Sequence, residues 1–412
     1  MKHYAIYVKG FSENDEWLNK LIEKETVPEL IGFKEKSGAV FSEKVLEKFI
    51  EEDQRRDYSE LVGETGRSLR TFSSGEKRKA LLNYLLKQNP DYLILDSIFD
   101  TLDRQSVEDL KIRLREISKE IFIIQLFRRK EDLFAFIDKI LLFENDKQYK
   151  SFSAEAFLAR DFFAGNIRKS QTIPAAPVAF HDFPETLVNL KNVSVNYEGR
   201  PILNNISWKV EKGEFWELTG PNGSGKTTIL SMIYGDNPKA FVEEVFLFGK
   251  RKGSGESVWE IKNKIGYFSP AITELFHRRN TAQEMLVSGL VDSIGLYQKP
   301  TAGQLTLAGK WLKVIGLEHR KNHIFTKLSL PEQRLLLIAR AMIKHPPLLI
   351  LDEPTTALDE KSALKVCGLI NKISAQSETA VIFVSHRREK GLKPEKVYEL
   401  VPAENGSEGR AH

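Results

Sequence analysis

The chain has 412 residues, of which 41% are hydrophobic and 29% are charged, so it is long enough for two or three domains with separate cores. Its formal net charge of +4 does not by itself indicate nucleic-acid binding, and the single cysteine, Cys367, excludes an internal disulfide framework and a cysteine-rich metal site. No apolar run approaches the roughly eighteen residues that a membrane span requires, and the first residues lack a secretory pattern, so we expect a cytoplasmic protein.

The first predicted elements are a strand, a turn and a helix. Residues 4–9 have the pattern of a strand that leads into Gly10, and apolar residues between 17 and 22 have helical spacing. Residues 43–56 are predicted to form a charged amphipathic helix, which we interpret as a solvated face rather than a binding patch. The start of the chain therefore has the outline of an α/β unit.

Two neighbouring segments occur twice in the chain. The sequence FSSGEKR at 72–78, a helical stretch and the strand YLILD at 92–96 return in the same order as LSLPEQR at 328–334 and LLILD at 348–352. The offset of 256 (328 − 72) holds without a gap over 32 positions, and 11 of these are identical. We infer an internal duplication.

The two repeats differ at positions that a catalytic site needs. Ser97 stands where the second repeat has Glu353. The strands that follow also correspond, with a shift of three residues, which predicts Phe127 at the position of His386. We therefore expect the first repeat to lack hydrolytic activity of its own.

Residues 151–186 separate the repeats. They contain three prolines in a weakly patterned stretch, and we expect a linker. Two strand-like segments, 192–197 and 201–210, then flank the turn signal at 198–199, which predicts a β-hairpin. Residues 403–412 have no clear pattern, and we expect a disordered tail.

The sequence GPNGSGKTT follows one short apolar run and precedes another, which predicts a strand, a loop and a helix. A loop with three glycines lets its backbone N–H groups approach phosphate oxygens, and the N-terminus of the next helix attracts the same anion. Lys226 is predicted to reach the outer phosphates, and the hydroxyl of Thr227 to occupy one Mg²⁺ position. The predicted nucleotide-binding residues of this phosphate loop are Gly220, Pro221, Asn222, Gly223, Ser224, Gly225, Lys226, Thr227 and Thr228.

Four further residues complete the predicted chemistry. Asp352 ends a buried strand and is predicted to bind Mg²⁺ through water, while Glu353 beside it polarises the attacking water. His386 follows the strand AVIFVS; such a histidine is often structural, but after these motifs we expect contact with the γ-phosphate or the water. Tyr197 is predicted to stack on adenine, and a half-buried hairpin aromatic is the alternative.

The front of the first repeat does not form a phosphate loop. If Gly10 corresponds to Gly220, the position of Lys226 falls on Glu16, and acidic residues replace two of the glycines, so phosphate would be repelled. From the loop lysine to the serine of the LSxxEQR segment the second repeat has 103 residues (329 − 226), whereas the first has 57 (73 − 16). We expect that a helical arm is missing there.

The phosphate loop, the LSxxEQR segment, the LLILDEP strand and His386 occur in the order and spacing of ABC-type ATPases, a family that the chain resembles over residues 187–400. The resemblance implies an α/β fold with two tandem ABC ATPase (P-loop NTPase) domains, Mg-dependent ATP hydrolysis, and ATP and Mg²⁺ as cofactors. The expected domains are a degenerate one at 1–150, a linker at 151–186, a complete one at 187–402 and a tail at 403–412.

In ABC-type ATPases two units pair head to tail, and each nucleotide lies between the phosphate loop of one unit and the signature segment of the other. The resemblance therefore implies one composite site, in which the second half's loop and catalytic residues meet Ser73, Gly75 and Glu76 of the first half. The other site would be inactive, because its loop is missing and Leu330-Pro331 interrupt its signature.

Within this family, the sequences NYEGRPILNNISW and FGKRKGSGESVWEIKNKIGY are similar to those of tandem ATPases without membrane segments that are associated with molybdate transport. That similarity implies a membrane transporter subunit as partner and a peripheral position at the inner face of the cell membrane. Ser269 departs from the pattern, since transporter ATPases generally carry glutamine there, and this argues against conventional coupling.

Two other interpretations stay open from the sequence. A tandem ATPase that acts on nucleic acid or ribosomes usually has two intact sites and a long charged helical linker, and residues 151–186 differ from such a linker. A nucleotide-gated scaffold would bind ATP with negligible turnover, and steady-state phosphate release distinguishes it from an ATPase.

Overall fold

A computed structural model describes most of the chain, namely residues 2–8, 15–23, 27–56, 61, 69, 72–100, 102–145, 148–160, 171–177, 183–276, 279–296 and 298–412. The chain divides into two units. The first unit is Met1–Gly165 with Ala357–Glu360, and the second is Asn166–Thr356 with Lys361–His412. In the described part of the chain, no helix is long and apolar enough to cross a membrane.

The first unit is built on a six-stranded sheet with helices between the strands. Its elements are β1 (Tyr4–Val8), α1 (Asp15–Glu23), β2 (Gly38–Ser42), α2 (Glu43–Arg56), α3 (Ser74–Lys87), β3 (Tyr92–Asp96), α4 (Arg104–Ile117), β4 (Phe122–Phe127), β5 (Lys139–Asn145), β6 (Gln148–Ser153) and α5 (Ala154–Leu158). The strand order is β2-β3-β4-β1-β5-β6, and the pairs are parallel except for β5 with β6. Apolar residues pack on both faces of this sheet, as parallel sheets require.

The second unit combines a sheet of the same kind with an antiparallel sheet and additional helices. Its elements are β7 (Thr186–Tyr197), β8 (Arg200–Glu211), β9 (Phe215–Thr219), α6 (Lys226–Tyr234), β10 (Glu244–Leu247), β11 (Lys250–Arg251), α7 (Val258–Asn263), β12 (Ile265–Phe268), α8 (Pro270–Glu274), α9 (Ala282–Ser288), α10 (Ala302–Val314), α11 (Leu330–Met342), β13 (Leu348–Asp352), α12 (Glu360–Gln376), β14 (Ala380–Val384), β15 (Lys396–Val401) and β16 (Glu408–Ala411). The larger sheet has the order β12-β13-β14-β9-β15-β16, and the antiparallel sheet has the order β11-β10-β7-β8.

The six-stranded sheets of the two units have the same strand order, which agrees with the predicted duplication. Equivalent backbone positions even share an unusual conformation, because Ser97 and Glu353 both have positive φ, at 53° and 49°. Asn89 and His345 form a second such pair, with φ of 48° and 53°. Both pairs are separated by the offset of 256 that the sequence gives.

Strand pairing corrects the predicted register of β4. In the first unit Asp96 lies beside Leu126, and in the second unit the equivalent Asp352 lies beside Val384. The offset of this strand is therefore 258 (384 − 126), which is a shift of two residues rather than three. Too few residues of β4 and β14 are identical to fix the register from the sequence, since both strands are almost uniformly apolar.

Arg128, and not Phe127, consequently stands where the second unit has His386, and the prediction of Phe127 was wrong. Phe127 is buried in the core, with its ring centroid 5.4 Å from that of Tyr7. Arg128 lies 3.7 Å from a carboxylate oxygen of Asp100. The first unit thus carries a cation at this position instead of an imidazole.

Strand pairing also changes the counterpart of Gly220. Tyr4 and Trp216 occupy equivalent places in the centres of their sheets. Gly220 then corresponds to Val8 rather than to Gly10, which lies outside the described residues. With loops of equal length, the counterpart of the loop lysine moves by the same two positions, from Glu16 to Asn14, which is also outside those residues.

Two expected boundaries were wrong. Residues 151–158 are not linker, because they complete β6 and form α5, and Phe157 of α5 is fully buried in the first unit's core. Residues 403–412 are not a disordered tail, because β16 pairs with β15, and the N–H of Ser407 donates to the carbonyl of Ile202 at 2.9 Å. The sequence signal was weak in both places, since each segment is short and polar and is ordered through pairing with a longer strand.

Candidate functional site

The phosphate loop lies between β9 and α6, as predicted, and its glycines have backbone angles that other residues avoid. The φ angles of Gly220, Gly223 and Gly225 are 145°, 78° and 93°. A Cβ at Gly225 would lie 2.5 Å from Cδ2 of Leu203, and a Cβ at Gly220 would lie 2.8 Å from a backbone carbonyl oxygen. Glycine is therefore required at both ends of the loop by space as well as by conformation.

Lys226 begins α6, and its side chain folds back over the loop. Its Nζ donates to the carbonyl oxygens of Gly220 at 2.6 Å and Pro221 at 3.0 Å. Lys226 is 8% exposed, so its ammonium group is placed at the loop rather than in bulk solvent. Thr227 is exposed on the first turn of α6.

The polar groups of the loop fit a phosphate group with Mg²⁺. The hydroxyl oxygen of Ser224 is buried and has no hydrogen-bond partner among the described residues, so it leaves a polar atom to be satisfied by a ligand. The loop precedes the nine-residue helix α6, whose N-terminal N–H groups favour an anion. In the described ranges no group of three or more His, Cys, Asp or Glu side chains is arranged so that it could hold a metal ion by itself. Mg²⁺ at such loops is bound by one or two protein oxygens together with the phosphates.

Asp352 and Glu353 have opposite electrostatic environments although they are adjacent. Burial, followed by the charge of Glu353, raises the pKa of Asp352 to about 6, against the effect of Lys226. Burial also acts to raise the pKa of Glu353, but the hydrogen bonds and charge that His386, Thr356 and Lys226 provide outweigh it, and the pKa is lowered. Glu353 is therefore held as a carboxylate, the form that can accept a proton.

His386 directly contacts the carboxylate of Glu353. Its Nδ1 lies 2.9 Å from Glu353 Oε2, and the His386 side chain is only 3% exposed. Thr356 Oγ1 donates to the same Glu353 oxygen at 2.8 Å. The sequence placed both Glu353 and His386 at strand ends but did not predict their contact, and it missed Thr356, whose spacing of three residues from Glu353 is the only available signal.

Tyr197 ends β7 at the tip of the predicted hairpin, where it pairs with Arg200. It is 40% exposed, and its hydroxyl accepts a hydrogen bond from Asn237 Nδ2 at 2.9 Å. Lys239 Nζ lies 5.9 Å from the centroid of the ring. The ring is thus held in place while part of it stays accessible, and its stacking on adenine remains a prediction.

The first unit's signature segment begins helix α3. Ser73 is the N-cap of this helix: its N–H donates to Glu76 Oε2 at 2.7 Å, and the N–H of Glu76 donates to Ser73 Oγ at 3.2 Å. A Cβ at Gly75 would lie 3.0 Å from Ser106 Oγ. The carboxylate of Glu76 therefore has a structural role in a capping box, and nucleotide binding by Ser73, Gly75 and Glu76 is still a prediction.

The second unit's signature segment has the same cap with a bulkier first turn. Ser329 is the N-cap of α11, and its N–H donates to Glu332 Oε2 at 2.9 Å. Leu330 and Pro331 occupy the first two helical positions, where Pro331 has no N–H to donate. This segment offers one backbone donor fewer than its counterpart in the first unit.

Serine stands at the same sheet position in both units, at the end of the strand that pairs with the Asp96 strand in the first unit and with the Asp352 strand in the second. Gly38 lies beside Tyr92 in the first unit and Ile265 beside Leu348 in the second, which makes Ser42 the counterpart of Ser269. Ser269 is 9% exposed and is the N-cap of α8. The absence of glutamine is therefore shared by both repeats, a correspondence that the sequence comparison missed.

Comparisons with known proteins include a family model that matches the region of this site. A family model described as "ABC transporter" matches residues 203–356. The chain is 37% identical over 333 residues to the ABC transporter ATP-binding protein ModF of Escherichia coli K12, covering 78% of this chain and 68% of ModF. It is 32% identical over 324 residues to an uncharacterized ABC transporter ATP-binding protein of Schizosaccharomyces pombe, covering 77% of this chain and 66% of that one. A dimeric, post-hydrolysis structure of the ATP-binding cassette MJ0796 with ADP and Pi is 27% identical, with a TM-score of 0.46 and coverage of 55% of this chain and 98% of that chain.

Proposed function

Because the chain belongs to the ABC-type ATPases, which bind ATP with Mg²⁺ and hydrolyse it, we propose that hydrolysis takes place at a single site in the second unit. The site comprises the phosphate loop at 220–228, Asp352, Glu353 and His386. The contact of 2.9 Å between His386 and Glu353 is the observation that best supports this proposal, because it joins two residues that are 33 positions apart.

In this proposal each residue has a separate task. The N–H groups of the loop and Lys226 bind the phosphates, while Thr227 and Asp352 hold Mg²⁺, which offsets phosphate charge when it is bound. Glu353 accepts a proton from the attacking water, and His386 holds the Glu353 carboxylate in position and charged. Tyr197 contributes the surface on which the adenine stacks.

We further propose that the signature segment of the first half, with Ser73, Gly75 and Glu76, completes this nucleotide site, as in the head-to-tail pairs of the family. The two halves retain different parts of such a site. The first half keeps a signature whose first helical turn contains no proline but has Ser97 in place of Glu353, whereas the second half keeps the loop and catalytic residues but has Leu330-Pro331 in its signature.

A pair of matched substitutions tests this assignment. Ser73→Arg and Ser329→Arg each remove an N-cap serine from an equivalent helix, so their costs in stability should be similar, about 1 kcal/mol. We expect Ser73→Arg to abolish steady-state phosphate release as fully as Glu353→Gln does, and Ser329→Arg to leave most of it. Normal hydrolysis by the Ser73→Arg protein would exclude the cross-unit assignment.

A separate proposal concerns the system in which the ATPase works. Its similarity to tandem ATPases associated with molybdate transport supports a role beside a metal-oxyanion uptake system, with a transporter subunit at the inner face of the cell membrane. Serine at both 42 and 269 indicates that any coupling differs from that of transporter ATPases with glutamine there. The association with a transporter is tested by affinity purification of the Glu353→Gln protein with ATP, carried out separately from membrane fractions and from RNA-containing fractions. Recovery of a membrane subunit supports this association, and salt-sensitive recovery of RNA or ribosomes contradicts it.

A further inference from the structure

A buried hydrogen bond connects the loop that carries His386 to the segment that carries Glu353, at a second point. Thr355 Oγ1 donates to Glu389 Oε1 at 2.6 Å. Thr355 is 1% exposed and Glu389 is 7% exposed. Thr355 follows Glu353 by two residues, and Glu389 follows His386 by three. The segment after β13 and the loop after β14 are therefore joined twice, once by Glu353 with His386 and once by Thr355 with Glu389.

The carboxylate of Glu389 is buried although its sequence neighbours are not. Arg388 and Lys390 are both exposed, and a loop of this kind normally leaves its charged residues in water. Taking a carboxylate out of water is costly unless the group is hydrogen-bonded or paired. The loop therefore carries a polar contact that a simple surface turn does not need, and the contact points towards the segment after β13.

Other bonds fix the same loop at its start. The N–H of Glu353 donates to the carbonyl of Val384 at 2.9 Å, which holds β13 and β14 together immediately before the catalytic pair. The N–H of Arg387 donates to Ser385 Oγ at 3.1 Å. The backbone on the near side of His386 is thus set by strand pairing, and the bond from Thr355 to Glu389 sets its far side.

We propose that Thr355 and Glu389 are positioning residues, which keep the His386 loop against the Glu353 segment and so maintain the contact between His386 and Glu353. They act on hydrolysis through His386. The inference rests on the roles proposed above for Glu353 and His386, and goes beyond them by naming what holds the pair together.

The test compares two substitutions of Thr355 in the full chain. Thr355→Val keeps the size of the side chain and removes the hydroxyl donor, whereas Thr355→Ser keeps the donor and removes a methyl group. We expect Thr355→Val to lower kcat for ATP at least about tenfold, with KM changed less than about threefold, and Thr355→Ser to stay within about threefold of the parent protein. An unchanged kcat in Thr355→Val, or an equal loss in both variants, would overturn the proposal.

A double-substitution cycle gives a measurement that a merely structural role would not affect. In a His386→Ala background, Thr355→Val should lower the residual rate less than about twofold, because its effect passes through the missing imidazole. A full tenfold loss of the residual rate in the His386→Ala background would show that Thr355 does not act through His386, and would refute the proposal. If Thr355→Val does not fold, as judged by its thermal transition, Glu389→Ala removes the acceptor instead and should give the same loss of kcat.

The outcomes also separate this inference from the proposed function. If the Glu353→Gln protein hydrolyses ATP at the parent rate, the assignment of the catalytic site is wrong. If Glu353→Gln is inactive while Thr355→Val is fully active, the site assignment stands and only the positioning role fails.

Discussion

Replacing Asp352 by Asn should stabilise the ligand-free protein at neutral and alkaline pH while abolishing its Mg-dependent turnover. Asp352 is largely buried, and its pKa is raised from 3.8 to about 6 by burial and by the charge of Glu353. The folded protein therefore binds this proton more tightly than the unfolded chain does. Stability from this group is fully present below pH 3.8 and is lost as the pH rises through 6.

The magnitude follows from the shift. A difference of about 2 pKa units at about 1.36 kcal/mol per unit gives roughly 3 kcal/mol at pH 8. Asparagine has nearly the same shape and no charge, so Asp352→Asn should recover most of this cost at pH 8. At pH 4 the parent side chain is itself largely neutral in the folded protein, and the gain should fall below about 1 kcal/mol.

Urea unfolding followed by tryptophan fluorescence measures this effect. Four of the five tryptophans belong to the second unit, at positions 208, 216, 259 and 311, so the signal reports mainly on the unit that contains Asp352. Asp236→Asn is the matched control, because the Asp236 carboxylate is 51% exposed and pairs with Lys262 at the surface. Its effect should stay within about 1 kcal/mol at either pH.

Two results would refute the reasoning. The first is an Asp352→Asn protein that is no more stable than the parent at pH 8. The second is a gain of the same size at pH 4 and pH 8, which would show that the substitution changes packing and not the cost of a buried charge. In either case the electrostatic account of the site would have to be abandoned.

Three further predictions concern the same unit. The affinity for Mg²⁺ in the presence of ATP should fall by up to about tenfold per pH unit below pH 6, since Asp352 must lose its proton to bind metal, and titration at pH 5, 6 and 7 measures this. Gly225→Ala should lower the unfolding free energy by about 1–3 kcal/mol and weaken ATP binding. Gly199 also has a positive φ, of 83°, but has open space around it. Gly199→Ala should therefore lose only the stability that the strained backbone costs, measured by thermal unfolding, and leave ATP binding unchanged. Deletion of residues 403–412 should lower the unfolding free energy by about 2–4 kcal/mol, because β16 and the hydrogen bonds of Ser407 are lost. An unchanged unfolding free energy would restore the expectation of a disordered tail.

The phosphate loop and the buried strands were predictable because each combines a strong pattern with a strict local requirement. A loop such as 220–228 needs glycine wherever the backbone has positive φ, so its sequence reports its conformation directly. Helix α2 matched the predicted range of 43–56, and the hairpin turn fell at 198–199, where polar and glycine residues interrupt two alternating runs. In these segments local propensity and tertiary structure agree.

The missed features depend on contacts between distant segments. Residues 408–411 form a strand only because β15 offers a partner, and nothing in EGRA indicates a strand by itself. The register of β4 against β3 also depends on pairing, and a shift of one residue in an apolar strand changes the pattern very little. The contact of His386 with Glu353 and the bond of Thr355 to Glu389 arise in the same way, across more than thirty positions in the chain.

The strand order of the second unit has a consequence for biosynthesis. β9, which leads into the phosphate loop, lies between β14 and β15, and these strands comprise residues 380–384 and 396–401. During translation the ribosome must therefore release roughly another 160–180 residues after β9 before both neighbours of that strand exist. At elongation rates of about 5–20 residues per second this leaves an apolar strand without partners for some ten seconds or more, an interval in which chaperones can engage the nascent chain. Translation pauses within residues 220–380 should for that reason raise the aggregated fraction more than pauses of equal length placed before β9, when that strand has not yet been made.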